Sequence, residues 1–231
     1  MTETVTTLNR LDVIESLMRQ KKLKNYLEIG VANGHIFFRV KSPFKLAVDP
    51  AFSFDRLRRI GKALINPANL ANQYFEKTSD AFFAEDADRV IGKKPLQLAL
   101  IDGMHEYQFA LRDVENTLRY LSDDGVIILH DCNPLTPGAA VPYDEWVEGQ
   151  WNGDVWKTIL HLRSQRPDLN VFVLDTDQGL GIVTRRKPET VLNFTPAQID
   201  ALSYDDLAKN RAHWLNLKSP EYFYTYFGVE K

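Results

Sequence analysis

Two unbroken apolar runs that each end in aspartate set the tightest limit on how this chain folds. They are Leu98-Ala99-Leu100-Ile101-Asp102 and Val126-Ile127-Ile128-Leu129-His130-Asp131. A strand with one wet face alternates in polarity. A strand apolar on both faces must be covered on both, which is the habit of parallel sheets with helices above and below. Two further runs fit the scheme: residues 25–31, containing Tyr26-Leu27-Glu28-Ile29, and residues 45–49, Lys-Leu-Ala-Val-Asp, closed by Pro50. A weaker strand is expected over 71–76.

Helical patterning fills the gaps. Residues 7–22 place Leu8, Leu11, Ile14, Leu17 and Met18 on one stripe, with Arg10, Glu15, Arg19 and Lys22 facing away. Helices are also expected over 54–64, over 81–91 with Ser79 as N-cap and Asp80 in the first turn, over 107–121 and over 151–164. Asp123-Asp124-Gly125 reads as a turn. Residues 133–150 hold Pro and Gly without periodicity, and a loop of that length is usually functional or mobile. Two β-rich runs, 170–175 and 180–185, flank Thr176-Asp177-Gln178-Gly179 and read as an antiparallel pair. The expectation is one α/β domain, Rossmann-like and doubly wound. Residues 1–22 would be an N-terminal helix, 23–186 the ligand-binding core, and 187–231 a helical extension. Its aromatic tail, 222–227, is a candidate contact with a second copy, making a homo-oligomer.

Composition narrows the function. Lys and Arg total 28 against 31 Asp and Glu, a formal net charge of −3. That balance offers no electrostatic case for nucleic acid or a membrane surface. Short basic runs, such as Arg56 to Arg59, read as solvated helix faces. A single cysteine, Cys132, excludes an internal disulfide framework and a cysteine zinc site. No apolar run reaches the roughly 20 residues that span a bilayer. The start of the chain lacks a basic-then-apolar leader pattern, so a cytoplasmic location is expected.

Parallel sheets bind ligands outside the carboxyl ends of their strands. Glu28, Asp49, Asp102 and Asp131 all fall at such ends. The turn after the first strand lacks the G-x-G-x-x-G of a dinucleotide site and instead reads Glu28-x-Gly30-x-x-x-Gly34. A carboxylate there can hold an ammonium group, and Gly30 lets a ligand lie against backbone. Asp49 is placed to accept from two ribose hydroxyls, or else is a turn residue before Pro50. Ser79 and Asp80 could reach an adenine, or simply begin a helix.

Taken together, Glu28-x-Gly30-x-x-x-Gly34, Ala47-Val48-Asp49, Ile101-Asp102-Gly103-x-His105-x-Tyr107 and the segment Asp124 to His130-Asp131 resemble the class I S-adenosylmethionine (SAM) dependent methyltransferases. The likeness covers about residues 20–186 and is nearest to the small-molecule branch that includes sugar and natural-product O-methyltransferases. It implies a mostly parallel seven-stranded sheet whose last strand is antiparallel. It implies SAM as cofactor, with Glu28, Gly30, Asn33, Gly34, Asp49, Ser79, Asp80 and Asp102 as binding residues. It also implies a small-molecule acceptor.

An alcohol is too weakly acidic to attack a methyl group unaided, so an O-methyltransferase needs a base, a metal, or both. Asp102 and Asp131 could share a hard cation such as Mg2+, with Asn133 adding a neutral oxygen. His105, three residues beyond Asp102, is the candidate general base. The D-x-x-H spacing matches relatives in which the Asp binds metal and the His is the base, whereas those relatives often carry two acids where this chain has His130-Asp131. Two other functions remain open. One is a metal-independent N- or carboxyl-methyltransferase, and the other a catalytically silent SAM- or nucleotide-binding module.

Overall fold

The sheet switches its direction of growth after the third strand, and that switch places the site. The structure is a computed structural model that describes residues 8–231. Its strands are β1 (Asn25–Ile29), β2 (Phe44–Asp49), β3 (Asn72–Glu76), β4 (Leu96–Ile101), β5 (Leu121–Leu129), β6 (Asn170–Leu174), β7 (Leu180–Thr184) and β8 (Leu217–Lys218). They lie in the order β3-β2-β1-β4-β5-β7-β6-β8. From β1 the chain adds strands outward through β2 to β3, then crosses back to β4 beside β1. The crevice at such a switch point is where doubly wound sheets take ligands. Pairing is parallel from β3 through β5, and β7 runs antiparallel to both β5 and β6.

The period-2 alternation of the strands sorts the core into two layers. Leu27, Ile29, Ala99, Ile101, Ile127 and Leu129 face one cluster. Tyr26, Leu98, Leu100, Val126 and Ile128 face the other. The first layer is covered by helices α3 (Ser79–Glu85), α4 (Ala87–Val90), α5 (Tyr107–Leu118), α6 (Trp156–Gln165), α7 (Pro196–Asp200) and α8 (Tyr204–Trp214). The second is covered by α1 (Arg10–Gln20), the turns around Phe37 and Phe38, and α9 (Tyr222–Phe227). Each Leu, Ile or Val fully enclosed this way contributes about 1.5–3 kcal/mol. The remaining helix, α2 (Arg56–Ile65), buries none of its residues.

The fold departs from expectation in local ways. An eighth strand, β8, pairs parallel with the edge of β6 through Val173 and Leu174. The 123–125 segment is strand rather than turn, because Leu121 pairs with Leu96 and a bulge between Leu96 and Leu98 absorbs the extra residues. Helix α5 therefore stops at Leu118. The helix expected over 81–91 is broken at Asp86, and its N-cap is Thr78, whose hydroxyl accepts from the Ala81 N–H, so Ser79 is the first helical residue. The aromatic tail folds inward. Phe223 is fully buried, and the Tyr226 and Tyr222 rings pack edge-on against Phe172 of the chain's own sheet. The first-helix expectation at Thr7 lies outside the described residues.

Two polar clips, one buried and one exposed, hold the ends of this frame. The Lys45 ammonium donates to the carbonyls of Phe37 and Val40 at 2.8 Å each and to Asn69 Oδ1 at 2.6 Å, so all three of its protons are used. That pins the segment after β1. Gln20 and the backbone of Glu230 exchange a reciprocal pair of hydrogen bonds, both 2.8 Å, joining α1 to the last residues of the chain. Among the described residues, no helix is long and apolar enough to cross a membrane.

Candidate active site

The loop after β1 is shaped by its neighbours before any ligand arrives. Gly30 sits at φ +81°, and any side chain there would overlap the backbone of Asp102 and Gly103. Its glycine is therefore demanded by the close passage of β1 and β4 as well as by room for a ligand. The Ala32 N–H donates to Asp49 Oδ2 and the Ala51 N–H to Asp49 Oδ1, each at 2.8 Å. Asp49 is thus a buried clamp on the loop, with further lone pairs on both oxygens. Asn33 turns its side-chain oxygen onto the His35 N–H at 2.9 Å, and Gly34 lies against the Phe38 ring.

Glu28 is buried under this loop and accepts from the Tyr26 hydroxyl at 2.6 Å. Burial raises its carboxyl. The Tyr26 hydrogen bond offsets this in part, the Asp102 charge adds to it, and the result stands at about 8. Ser79 and Asp80 sit at the start of α3, which follows β3. Asp80 is half exposed and pairs with Arg112 at 3.0 Å.

Beyond the tip of β4 lies a knot of charge. His105 Nε2 is 3.1 Å from Asp131 Oδ2 and 3.5 Å from Asp102 Oδ1. Its Nδ1 lies 2.9 Å from the Trp151 carbonyl. A carbonyl only accepts, so Nδ1 carries the proton and the Nε2 position faces the two carboxylates. Burial works against a charged His105, but its hydrogen bond to Asp102 and the charges of Asp131 and Asp102 outweigh it and raise its pKa. Burial would also raise Asp102. Hydrogen bonds from His105 and His130 overcome that and hold it far below the usual carboxylate range. Asn152 fixes the other Asp131 oxygen at 2.7 Å.

His130 is drawn into the knot and does not point away. Its Nδ1 is 2.8 Å from Asp131 Oδ2 and 3.2 Å from Asp102 Oδ1. Burial disfavours its charge, yet Asp102, Asp131 and Asp177 push it up to about 11. Arg10 Nη1, a donor only, lies 2.7 Å from Nε2. That contact uses an unprotonated Nε2, so with Arg10 in place His130 carries its proton on Nδ1, directed at Asp131 and Asp102.

The sequence pattern missed three members of this knot. Arg10, read as facing solvent, turns its guanidinium inward between Asp177 at 3.0 Å and Asp102 at 3.6 Å. Asp177, read only as part of a turn, reaches Arg10 and His130 from that turn, with Asp177, Gln178 and Gly179 all at positive φ. Asn152 was not singled out. Only the unusual run Asp177-Gln178-Gly179, rich in left-handed formers, carried a signal.

Asn133 is not brought into the knot through its oxygen, which accepts from Arg211 of α8, while its amide donates to Asp175 at 3.0 Å. The helix expected from residue 151 begins at Trp156 instead. Residues 151–154 form the lid behind His105: a side chain at Gly153, φ +56°, would overlap the His105 carbonyl, and Asp154 takes the Tyr107 N–H at 2.6 Å. The Trp151 ring lies over the His105 ring with centroids 4.8 Å apart, and Tyr143 and Trp146 pack around it. Trp156 is core, and Cys132 is buried.

The donor chemistry fits a divalent cation. One ligand atom each from Asp102, His105 and Asp131 lies within 4.8 Å of the others. Two carboxylates and an imidazole suit borderline metals such as Mn2+, Fe2+ or Zn2+ directly. Mg2+ would rely on the carboxylates and water.

A family profile described as a methyltransferase domain matches residues 27–132. No curated protein matches the chain. Solved structures share the fold. Cofactor-bound Rv0187 from MTB is 11% identical with a TM-score of 0.58, over 79% of this chain and 83% of that one. The O-methyltransferase TomG from Streptomyces achromogenes, involved in tomaymycin synthesis and in complex with SAM, is 12% identical with a TM-score of 0.56, over 75% and 78%. An O-methyltransferase from Bacillus cereus in complex with SAH is 14% identical with a TM-score of 0.53, over 75% and 79%.

Proposed function

We propose that this chain is a class I SAM-dependent methyltransferase that methylates a hydroxyl oxygen of a small molecule of sugar or natural-product type, with His105 as the base; the match of residues 27–132 to a methyltransferase domain supports the reading. SAM supplies a methyl group already activated on a sulfonium, so the acceptor is what needs help. The observation that carries the reading is the fixed His105 ring. Its Nδ1 proton is committed to the Trp151 carbonyl, so Nε2, which faces Asp131 and Asp102, is the ring nitrogen through which a hydroxyl proton would be taken by the neutral imidazole. Asp131, 3.1 Å away, then stabilises the imidazolium.

Glu28 suits the donor's ammonium, because a carboxyl that burial holds near neutral gains its charge when a cation arrives. Gly30, Asn33 and Gly34 would frame the amino-acid end. Asp49 would accept ribose hydroxyls on the lone pairs its backbone partners leave free, and Ser79 and Asp80 would stand at the adenine. Trp151, Tyr143 and Trp146 would form an aromatic wall against which an acceptor ring can lie.

The convergence of Asp102, His105 and Asp131 supports a second reading. A cation held there would lower the acceptor hydroxyl's pKa, and His105 would then act as ligand in place of base. Titration with SAM followed by turnover in EDTA separates the possibilities. No SAM binding at millimolar ligand sinks both readings. Full activity in EDTA removes the metal and leaves the base.

A further inference from the structure

Helix α2 is built inside out. Most amphipathic surface helices turn their apolar stripe to the core. Here Leu57, Ile60, Leu64 and Ile65 face solvent along the helix, and Leu70 continues the exposed apolar surface past its end. Leu57, Leu64, Ile65 and Leu70 are each between 76% and 82% exposed. One basic side chain faces the protein instead: the Arg59 guanidinium lies 4.2 Å from the centre of the Tyr74 ring and close to Phe52 and Phe54, while Arg56 and Arg58 stay exposed beside the stripe. Five large aliphatic side chains left in water on one short element cost stability and mark a contact surface.

The charge around the stripe says what kind of contact. Residues 56–75 contain Arg56, Arg58, Arg59 and Lys62 and no acid, in a chain whose net charge is −3. Whole-chain balance hid this segregation. Pairing the face with a second copy would bring mainly like charge together, four bases against the flanking Asp55 and Glu76. The stripe also lacks the aromatic and Met anchors that mark the centre of protein interfaces, and it sits on a convex helix, not a groove. Protruding aliphatics with a basic rim match the boundary of an anionic bilayer, where the aliphatics enter the acyl edge and the arginines meet headgroups.

We propose that α2 and the turn to Leu70 dock this protein on anionic membrane surfaces. The proposal is independent of the methyl-transfer reading, because none of these residues belongs to the site.

The test is flotation of the full chain with phosphatidylcholine vesicles, with and without about a third phosphatidylserine. Binding to the anionic vesicles, weakened by salt, is expected. The pair Arg56→Ser and Arg58→Ser should weaken it roughly thirty-fold, since each basic residue near such a surface contributes about 1 kcal/mol. The pair Leu64→Ser and Ile65→Ser should weaken it about tenfold or more, with an unchanged melting temperature. Leu57→Ser alone gives a second reading if that pair unfolds. Absence of binding, or binding that none of these changes weakens, overturns the proposal. So does a dimer in solution that Leu64→Ser with Ile65→Ser converts to monomer, because a second copy would then be the occupant.

Discussion

His105 Nε2 lies 3.1 Å from the Asp131 carboxylate, and the backbone of Asp131 is left-handed at φ +61°. The two facts are linked by the hairpin that holds the turn. Cys132 donates its N–H to the Gly179 carbonyl and Asn133 to that of Gln178. These bonds keep Asp131 in a region that few residues other than Gly, Asn and Asp occupy. Strain of this kind persists where the surroundings over-determine it, commonly at functional sites.

The base assignment predicts a divided phenotype. His105→Gln should lower kcat by about 10²–10⁴ and leave SAM affinity within error. Single-turnover methyl transfer and calorimetric titration measure the two. Full activity in the variant at neutral pH would exclude His105 as base.

Asp131 separates charge from conformation. Asp131→Asn keeps a residue tolerant of positive φ, so the melting temperature should hold while metal affinity and turnover fall. Asp131→Ala should also lose about 1–2 kcal/mol of stability, since alanine fits the left-handed region poorly. Manganese titration by electron paramagnetic resonance, beside thermal melts of both variants, checks the pair. Equal melts for Asn and Ala would show that the turn is not under strain.

Glu28 predicts how pH acts. Its folded value, about 8, is above the roughly 4.3 of an unfolded glutamate. The folded state therefore keeps a proton that the unfolded state has lost. The stability this lends is present below about pH 4 and declines as pH rises toward 8. Glu28→Gln should flatten that slope and raise the melting temperature at pH 8 by several degrees, while weakening SAM. In the parent chain, SAM binding near pH 7 should release a proton fraction, seen as a dependence of binding heat on buffer ionisation enthalpy. A heat that does not change with buffer would contradict the pairing of Glu28 with the donor's ammonium.

Arg211 ties the helical extension to the start of the long loop, through Asn133 and the Pro134 carbonyl at 2.7 Å. Arg211→Met should raise the acceptor's KM several-fold, with SAM affinity unchanged. Steady-state kinetics at saturating SAM would reveal it. An effect on SAM alone would place Arg211's influence on the other side of the crevice.

The strand ends were readable because buried parallel strands write continuous apolar runs, so Glu28, Asp49, Asp102 and Asp131 could be placed on the correct edge of the sheet. Periodicity could not tell where Arg10 points. A first-turn side chain can swing either way, and its partner Asp177 is 167 residues distant in sequence. Asn133 illustrates the converse. Its position beside Asp131 suggested a ligand, but Arg211, on a helix outside the recognisable pattern, claims its oxygen. The eighth strand is two residues long and carries no pattern to read.

The reciprocal bond between Gln20 and Glu230 turns a linear chain into a closed mechanical loop. Helix α1 delivers Arg10 to one side of the crevice, and the extension that delivers Arg211 to the other is fastened to that same helix. Both arginines end at the same hairpin, Arg10 on Asp177 and Arg211 on Asn133, whose N–H donates to the Gln178 carbonyl. Removing the last few residues would take away the shared fastening of their two helices while leaving each arginine its own partners.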